Sequence, residues 1–206
     1  MLSDGDSQAF RAVKGYPYAV EKLECVNHAH KRFGTALRNA RKNASLGGKG
    51  AGKLTDAKCL SLQNYYRGAI TGSINGGVQT MKSAVWATFF HSVSTDEDPH
   101  HLRCPAGTES WCFYQKAEAN HEQPPPHDKL TTGLSREVAG KLIAIYQRFT
   151  SDELLLRMRH GGTQNQNECF NSMIWSRCPK TLFFGYGRVL SAVSSAVMRF
   201  NEGNLS

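Results

Sequence analysis

Apolar residues recur at steps of three and four along most of this chain, and that period limits its possible folds more than any other feature. Val26, Ala29, Phe33, Leu37 and Ala40 form one such series, within a helix expected from about Glu21 to Lys42. Val138, Leu142, Ile145 and Phe149 form a second behind Ser135, a good N-cap residue. Leu190, Val193, Val197 and Phe200 form a third, on which the last helix is expected to pack. Thr55 can cap a helix running through Tyr66, and Met81, Val85 and Phe89 share one face of another from Gln79 to Phe90. Thr150 with Glu153, and Asn165 with Glu168, have capping-box spacing ahead of two shorter helices. Asp6 or Ser7 can cap a short segment from Gln8 to Lys14. Strand candidates are few: the pair Leu2-Ser3, and Thr181 to Tyr186, which reads as a strand or an aromatic turn. The expectation is a predominantly α-helical chain.

The 206 residues suffice for one substantial core, and a hydrophobic fraction of 40% with ten Phe argues for folding over disorder. No stretch approaches the roughly 20 apolar residues of a membrane span. The opening Met1-Leu2-Ser3-Asp4-Gly5-Asp6 lacks a basic run followed by an apolar one, so a secretory signal is not expected and a reducing compartment is. Six Cys in that setting do not suggest a disulfide scaffold; they read as small buried residues or metal ligands.

The net charge of +8 is local rather than general. Residues 11 to 58 hold eleven Lys or Arg against Glu21, Glu24 and Asp56, whereas the rest of the chain is nearly balanced. Lys31, Arg32, Arg38, Arg41 and Lys42 fall opposite the apolar stripe of the first long helix, and Lys49 and Lys53 follow in a Gly-rich connector over 45–53. Such a surface is either a solvated basic face or a polyanion site, where neutralised phosphates release counterions. The connector is not a phosphate loop, because Gly52-Lys53 is followed by Leu54 and no strand precedes it.

Three groups of residues could carry chemistry. His91, His101, Cys104 and Cys112 occupy a stretch, 91 to 126, whose apolar pattern is too poor to order it; two nitrogens and two sulfurs suit tetrahedral Zn2+. Their spacing matches no standard finger, His100 competes with His101, and buried or solvent-facing Cys and His are the other reading. Cys25-Val26-Asn27-His28 is a C-x2-H unit, half a zinc site or a structural pair. Asp4 and Glu168 are carboxylates far apart in sequence that either bind divalent cations or simply cap a turn and a helix.

Taken in order, Ser3-Asp4-Gly5-Asp6-Ser7, Val20-Glu21-Lys22-Leu23-Glu24-Cys25-Val26-Asn27-His28 and Gly162-Thr163-Gln164-Asn165-Gln166-Asn167-Glu168-Cys169-Phe170-Asn171 resemble the Mutator-like transposase domain of eukaryotic mobile elements. Shorter stretches agree, among them Ser94-Thr95-Asp96-Glu97, Cys104-Pro105, Ser110-Trp111-Cys112 and Trp175-Ser176-Arg177-Cys178-Pro179-Lys180. The resemblance implies the later portion of an α/β RNase H-like domain, mostly helical, over 1–206. A helical insertion would occupy 21–133, with a zinc-stabilised segment at 91–112, and C-terminal helices would occupy 134–206. By resemblance Asp4 takes the second acidic position, with Asp6 its competitor, and Glu168 the third. Cys25 and His28 match the family's C-x2-H motif.

The first acidic residue belongs upstream of Met1, so the resemblance implies a partial or relic transposase with weak or no activity by itself. Complete homologues would cleave and join DNA with Mg2+ or Mn2+ held by such carboxylates. The alternative is a noncatalytic DNA-binding protein using Arg38, Arg41, Lys42, Lys49 and Lys53. Double-stranded DNA, with transposon terminal repeats one candidate, a homo-oligomer, a structural Zn2+ and a nuclear location complete the implied picture; a membrane does not enter it.

Overall fold

The structure, a computed structural model, describes residues 2–3, 11, 17, 20–127 and 133–202. Asp4 and Asp6 lie outside the described residues, as does most of the expected helix at Gln8 to Lys14. The chain divides into two units, Met1–Gly162 and Thr163–Ser206.

In the first unit Leu2–Ser3 (β1) pairs in parallel with Leu23–Glu24 (β2), Leu2 opposite Leu23 and Ser3 opposite Glu24. Helix α1 therefore begins at Val26, not at Glu21 as the periodicity suggests, and runs as Val26–Asn43. The residues before it spend their backbone groups on a strand ladder, which a helix cannot share. Glu24 is buried, with its Oε1 2.7 Å from Arg32 Nη2 in the second turn of α1. Helices α2 (Asp56–Gly72), α3 (Gly77–Val93, entered through a 3-10 turn at Ile74–Gly76), α4 (Phe113–Ala119), α5 (Arg136–Phe149) and α6 (Asp152–Met158) follow. The N-caps at Thr55 and Ser135 are as expected, their side chains accepting from the N–H groups of Lys58 and Val138. The Gly-rich segment over 45–53 has no regular element and is held by Leu46, whose carbonyl accepts from Leu54 N–H.

The core lies where α1, α2, α3, α5 and α6 meet. Val26, Ala29, Phe33 and Leu37 are buried from α1, and Ala40 is partly covered, so the stripe read from the sequence is the packed face. Phe33 stacks on Tyr66 with centroids 4.5 Å apart and meets Tyr146 and Phe149 edge-on at 5.2 and 5.3 Å. Gly34 allows α2 to come close: a Cβ there would lie 1.9 Å from Gln63 Oε1, the atom that accepts from Arg38 Nη1.

Tyr66 also donates its hydroxyl, at 3.1 Å, to the carbonyl of Phe149, the last residue of α5. Carbonyls in a helix's last turn have no partner inside the helix, so this phenol closes a buried helix end. Tyr66→Phe is expected to lower stability by about 1–2 kcal/mol, because the carbonyl would be buried without its donor. Chemical denaturation followed by circular dichroism measures it; no change would mean that another donor caps Phe149.

Two capping assignments differ. Helix α6 begins after Ser151, and Thr150 instead donates its hydroxyl back to Tyr146 carbonyl at 2.8 Å, which takes its oxygen away from the proposed box with Glu153. In the second unit, α7 is Asn165–Trp175 with Gln164 at the cap position, so Asn165 is the first helical residue rather than the cap. Residues 181–185 form a turn, not a strand, leading to α8 (Tyr186–Glu202). Helix α8 packs on α7 through Ala192, Ala196 and Val193, joined by Ile174 and Cys178. Of the other residues expected to pack, Leu190 and Val197 are 49% and 41% exposed, whereas Phe200, 45% exposed, meets Phe170 of α7 edge-on at 5.6 Å. Small residues let the two backbones approach, and the bulkier side chains fall to the flanks. No described helix is long and apolar enough to cross a membrane.

Candidate metal centre

After α3 the chain runs from Ser94 to Cys112 without a helix or strand, and what gathers there is polar. His91 sits in the last turn of α3, His101 and Cys104 in the loop, and Cys112 at the cap of α4. Their four side chains converge, with one possible ligand atom from each lying within 4.8 Å of all the others. All four are buried, at 1%, 2%, 6% and 0% exposure for His91, His101, Cys104 and Cys112.

The spacing has the dimensions of a coordination shell. Cys112 Sγ is 3.5 Å from His91 Nδ1 and 3.4 Å from His101 Nδ1, and Cys104 Sγ is 3.8 Å from His91 Nδ1. A zinc ion with Zn–S of about 2.3 Å and Zn–N of about 2.0–2.1 Å at the tetrahedral angle separates sulfur from nitrogen by about 3.6 Å. The residues thus fit a divalent metal such as zinc, held through both Nδ1 atoms and both sulfurs.

The electrostatics point the same way. Hydrogen bonding with the Cys104 thiol, and after it the nearby His101 and His91 rings, holds the Cys112 thiol well below the usual range against the opposing effect of burial. Cys104, which gives that hydrogen bond and is buried itself, is pushed up. Two neighbouring buried sulfurs drive their ionisations apart in this way, and a divalent cation between them would satisfy both.

The loop is built to aim these groups. Cys104 N–H donates to His101 carbonyl at 2.9 Å, Cys112 N–H to Ser110 Oγ at 3.1 Å, and Gln115 Nε2 to His101 carbonyl at 3.2 Å. Tyr65 from α2 and Trp111 lie against His91, with centroids 5.9 and 5.0 Å away, and Tyr114 stacks on His101 at 4.5 Å. His100 points elsewhere: its Nε2 is 3.2 Å from Asp98 Oδ2, and its backbone N–H donates to Ser94 Oγ. His101 is therefore the member of the pair that joins the cluster.

Two further residues stand behind it and were not found in the sequence reading. His127 Nε2 is 2.7 Å from His101 Nε2, and His127 Nδ1 is 2.6 Å from Asp96 Oδ1. Asp96 also accepts from the His127 backbone N–H at 3.1 Å. The His127 side chain and backbone together hold the Asp96 carboxyl below its usual range. No sequence signal connects positions 96, 101 and 127; only Asp96 lies in a stretch with family likeness.

Other predicted positions fall apart from this cluster. Cys25 is buried at the start of α1, where its carbonyl accepts from the N–H groups of His28 and Ala29. Among the described residues no third Cys, His or carboxylate joins Cys25 and His28 in a metal-sized group. Glu168 is exposed in the first turn of α7, its N–H bonded to Gln164 carbonyl at 2.8 Å. On the basic surface Arg41 pairs with Asp56 at 2.6 Å and Arg38 bonds Gln63 at 3.1 Å, whereas Lys42 and Lys49 are exposed and Lys53 is half-buried. All six cysteines are free thiols.

Fold and site together define a helical domain with a short parallel strand pair and a buried His2Cys2 clamp. The model of the Mutator-like transposase family matches residues 1–112, more than half of the chain, and the match reaches through all four residues of the clamp. The chain belongs to the Mutator-like transposase family. Glu168 lies beyond the matched residues. No curated protein and no solved structure matches the chain.

Proposed function

We propose that this chain is a zinc-clamped portion of a transposase that acts on duplex DNA, its substrate being the ends of a mobile element. The observation that carries the reading is the family match together with the His2Cys2 geometry inside it. In this reading zinc is structural, because four protein ligands leave no open position for water or substrate. The chemistry of cleavage and strand transfer belongs to a separate carboxylate site in an RNase H-like core, to which Asp4 and Glu168 contribute oxygen ligands for Mg2+ or Mn2+. Nuclear location and assembly as a homo-oligomer go with that work.

The alternative, a DNA-binding protein without catalysis, is favoured by the basic surface. Arg38 and Arg41 already serve Gln63 and Asp56, so Lys42, Lys49 and Lys53 carry most of the available charge. A cleft lined by Arg32, Thr35, Asn39 and Arg148 adds the Arg148 guanidinium, Arg32 being paired with Glu24.

One experiment tests both. Duplex binding is measured between 50 and 200 mM salt, and nicking of terminal-repeat DNA is followed in Mg2+ or Mn2+. Neutralising Lys42, Lys49 and Lys53 to Gln is expected to flatten the salt slope by about one unit per lost phosphate contact. Glu168→Gln and Asp4→Asn are expected to lower any nicking roughly a hundredfold, the loss of a few kcal/mol of metal-borne stabilisation. Binding without nicking selects the noncatalytic reading. An unchanged salt slope removes the lysines from the interface, and nicking unaffected by either substitution removes the carboxylates from the site.

A further inference from the structure

A ligand histidine is only half described by the nitrogen that faces its metal. The other nitrogen sets the tautomer and the ring's orientation, and partners of metal-bound His rings are the usual means of fixing both. At His101, Nδ1 faces Cys112 Sγ at 3.4 Å and Nε2 faces His127 Nε2 at 2.7 Å. Two facing ring nitrogens at that distance must share one proton, since two N–H groups would collide and two lone pairs would repel. The far end of the chain of contacts decides which keeps it. His127 Nδ1 lies 2.6 Å from the acceptor-only Asp96 carboxylate, so His127 carries its proton on Nδ1 and presents a lone pair from Nε2. His101 then carries its proton on Nε2, and its Nδ1 is left with the lone pair a metal needs.

We propose that Asp96 and His127 form an outer relay, carboxylate to imidazole to imidazole, that holds His101 in the metal-binding tautomer and orientation. The inference rests on the zinc reading of His91, His101, Cys104 and Cys112. The relay spans residues with no sequence proximity: Asp96 opens the loop and His127 follows α4. It is seated by packing as well as by hydrogen bonds. The His127 and His101 rings lie with centroids 5.0 Å apart, Phe113 meets both edge-on at 5.5 Å, and the His127 side chain is 7% exposed. Asp96 reaches the solvent at the outer end, with 57% of its side chain exposed. The relay joins a buried ligand to a solvated carboxylate, and it ties the loop before α4 to the segment after it.

The proposal separates hydrogen bonding from packing, and substitutions at position 127 can tell them apart. Zinc affinity of the full chain is measured by competition with a chromophoric chelator for wild type, His127→Ala, His127→Phe and His127→Gln. Phe keeps an aromatic ring but offers no nitrogen; Gln offers an oxygen to accept from His101 and an N–H to give to Asp96. Phe and Ala are each expected to weaken zinc binding roughly 10–100-fold, whereas Gln stays within about threefold of wild type. Affinity retained by Phe, or lost in Gln as fully as in Ala, would overturn the relay. A second measurement needs no variant: long-range proton–nitrogen NMR of the zinc-loaded wild type is expected to find Nε2–H on His101 and Nδ1–H on His127. Either ring in the opposite tautomer, or His127 itself bound to the metal, would overturn it as well. Failure of the relay is distinguishable from failure of the zinc reading: in the first, wild type takes up one zinc and only the pattern at 127 is wrong; in the second, wild type takes up none.

Discussion

Chelating the metal is expected to abolish amide protection across residues 94–127 while leaving α1, α2 and α5 protected. The reason lies in what is buried there. From Ser94 to His127 the buried described side chains are Ser94, His101, Cys104, Ser110, Cys112 and Ala117, and none of them belongs to the main hydrophobic cluster. Ordering more than thirty residues costs roughly 1–2 kcal/mol each in backbone entropy, which one buried alanine and a few hydrogen bonds do not offset. Structural zinc in small domains contributes an apparent 10–16 kcal/mol at neutral pH, the largest single stabilising contribution such a segment can draw on. Cys104→Ala with Cys112→Ala removes both thiolates and is expected to reduce zinc content from one per chain to near zero, with the same gain in exchange. The helices on either side keep their own anchors. Phe89 of α3 is in the main cluster, and the chain re-enters at Leu134, whose N–H bonds Ser92 carbonyl at 2.7 Å. Full zinc retained by the double variant would remove these cysteines from the site. Unchanged exchange after complete chelation would mean that the loop is ordered by its own hydrogen bonds.

Much of this arrangement was legible before any coordinates. The stripes of Val26–Asn43 and Arg136–Phe149 and the caps of Asp56–Gly72 and Arg136–Phe149 are local statements, and the periodicity found the buried faces of the two striped helices. The four clamp residues were legible because a stretch with poor apolar pattern and several Cys and His needs another source of order. Where reading failed, a distant partner decided the outcome. Leu23–Glu24 looks helical alone and becomes a strand because Leu2–Ser3 lies beside it. Leu190, Val193, Val197 and Phe200 make a convincing stripe, yet Leu190 and Val197 stay largely exposed while Ala192 and Ala196 are buried against α7 beside Val193, since close approach rather than apolar bulk sets the centre of the interface. Thr150 has the residue type and spacing of a cap, but its hydroxyl reaches back to Tyr146. His127 and Asp96 could not be found from spacing at all, because hydrogen-bond partners across a loop leave no periodic trace.

Phe33→Ala is expected to cost 3–5 kcal/mol, near the upper end for a single core truncation. Phe33 is fully buried at the centre of α1 and touches Tyr66 of α2 and both Tyr146 and Phe149 of α5, so it is the ring through which three helices are joined. Collapse around the missing ring is hindered. Tyr66 is held by its hydrogen bond to Phe149 carbonyl, and Tyr146 is packed against Trp86 and Phe89, at 5.9 and 4.9 Å. A cavity therefore persists, and its cost adds to the lost transfer energy. For a chain of this size the midpoint of the first unit's thermal transition should fall by about 6–20 °C, read by calorimetry with zinc present. Phe33→Leu restores most of the volume but not the stacking on Tyr66, and should cost less than about 2 kcal/mol. A loss under about 1 kcal/mol for Phe33→Ala would mean that the aromatic cluster repacks freely. A loss as large for Leu as for Ala would place the stabilisation in ring geometry rather than in filled volume. Zinc content supplies the control: because the clamp is built by the loop and the end of α3, Phe33→Ala should still hold one ion per chain below its transition.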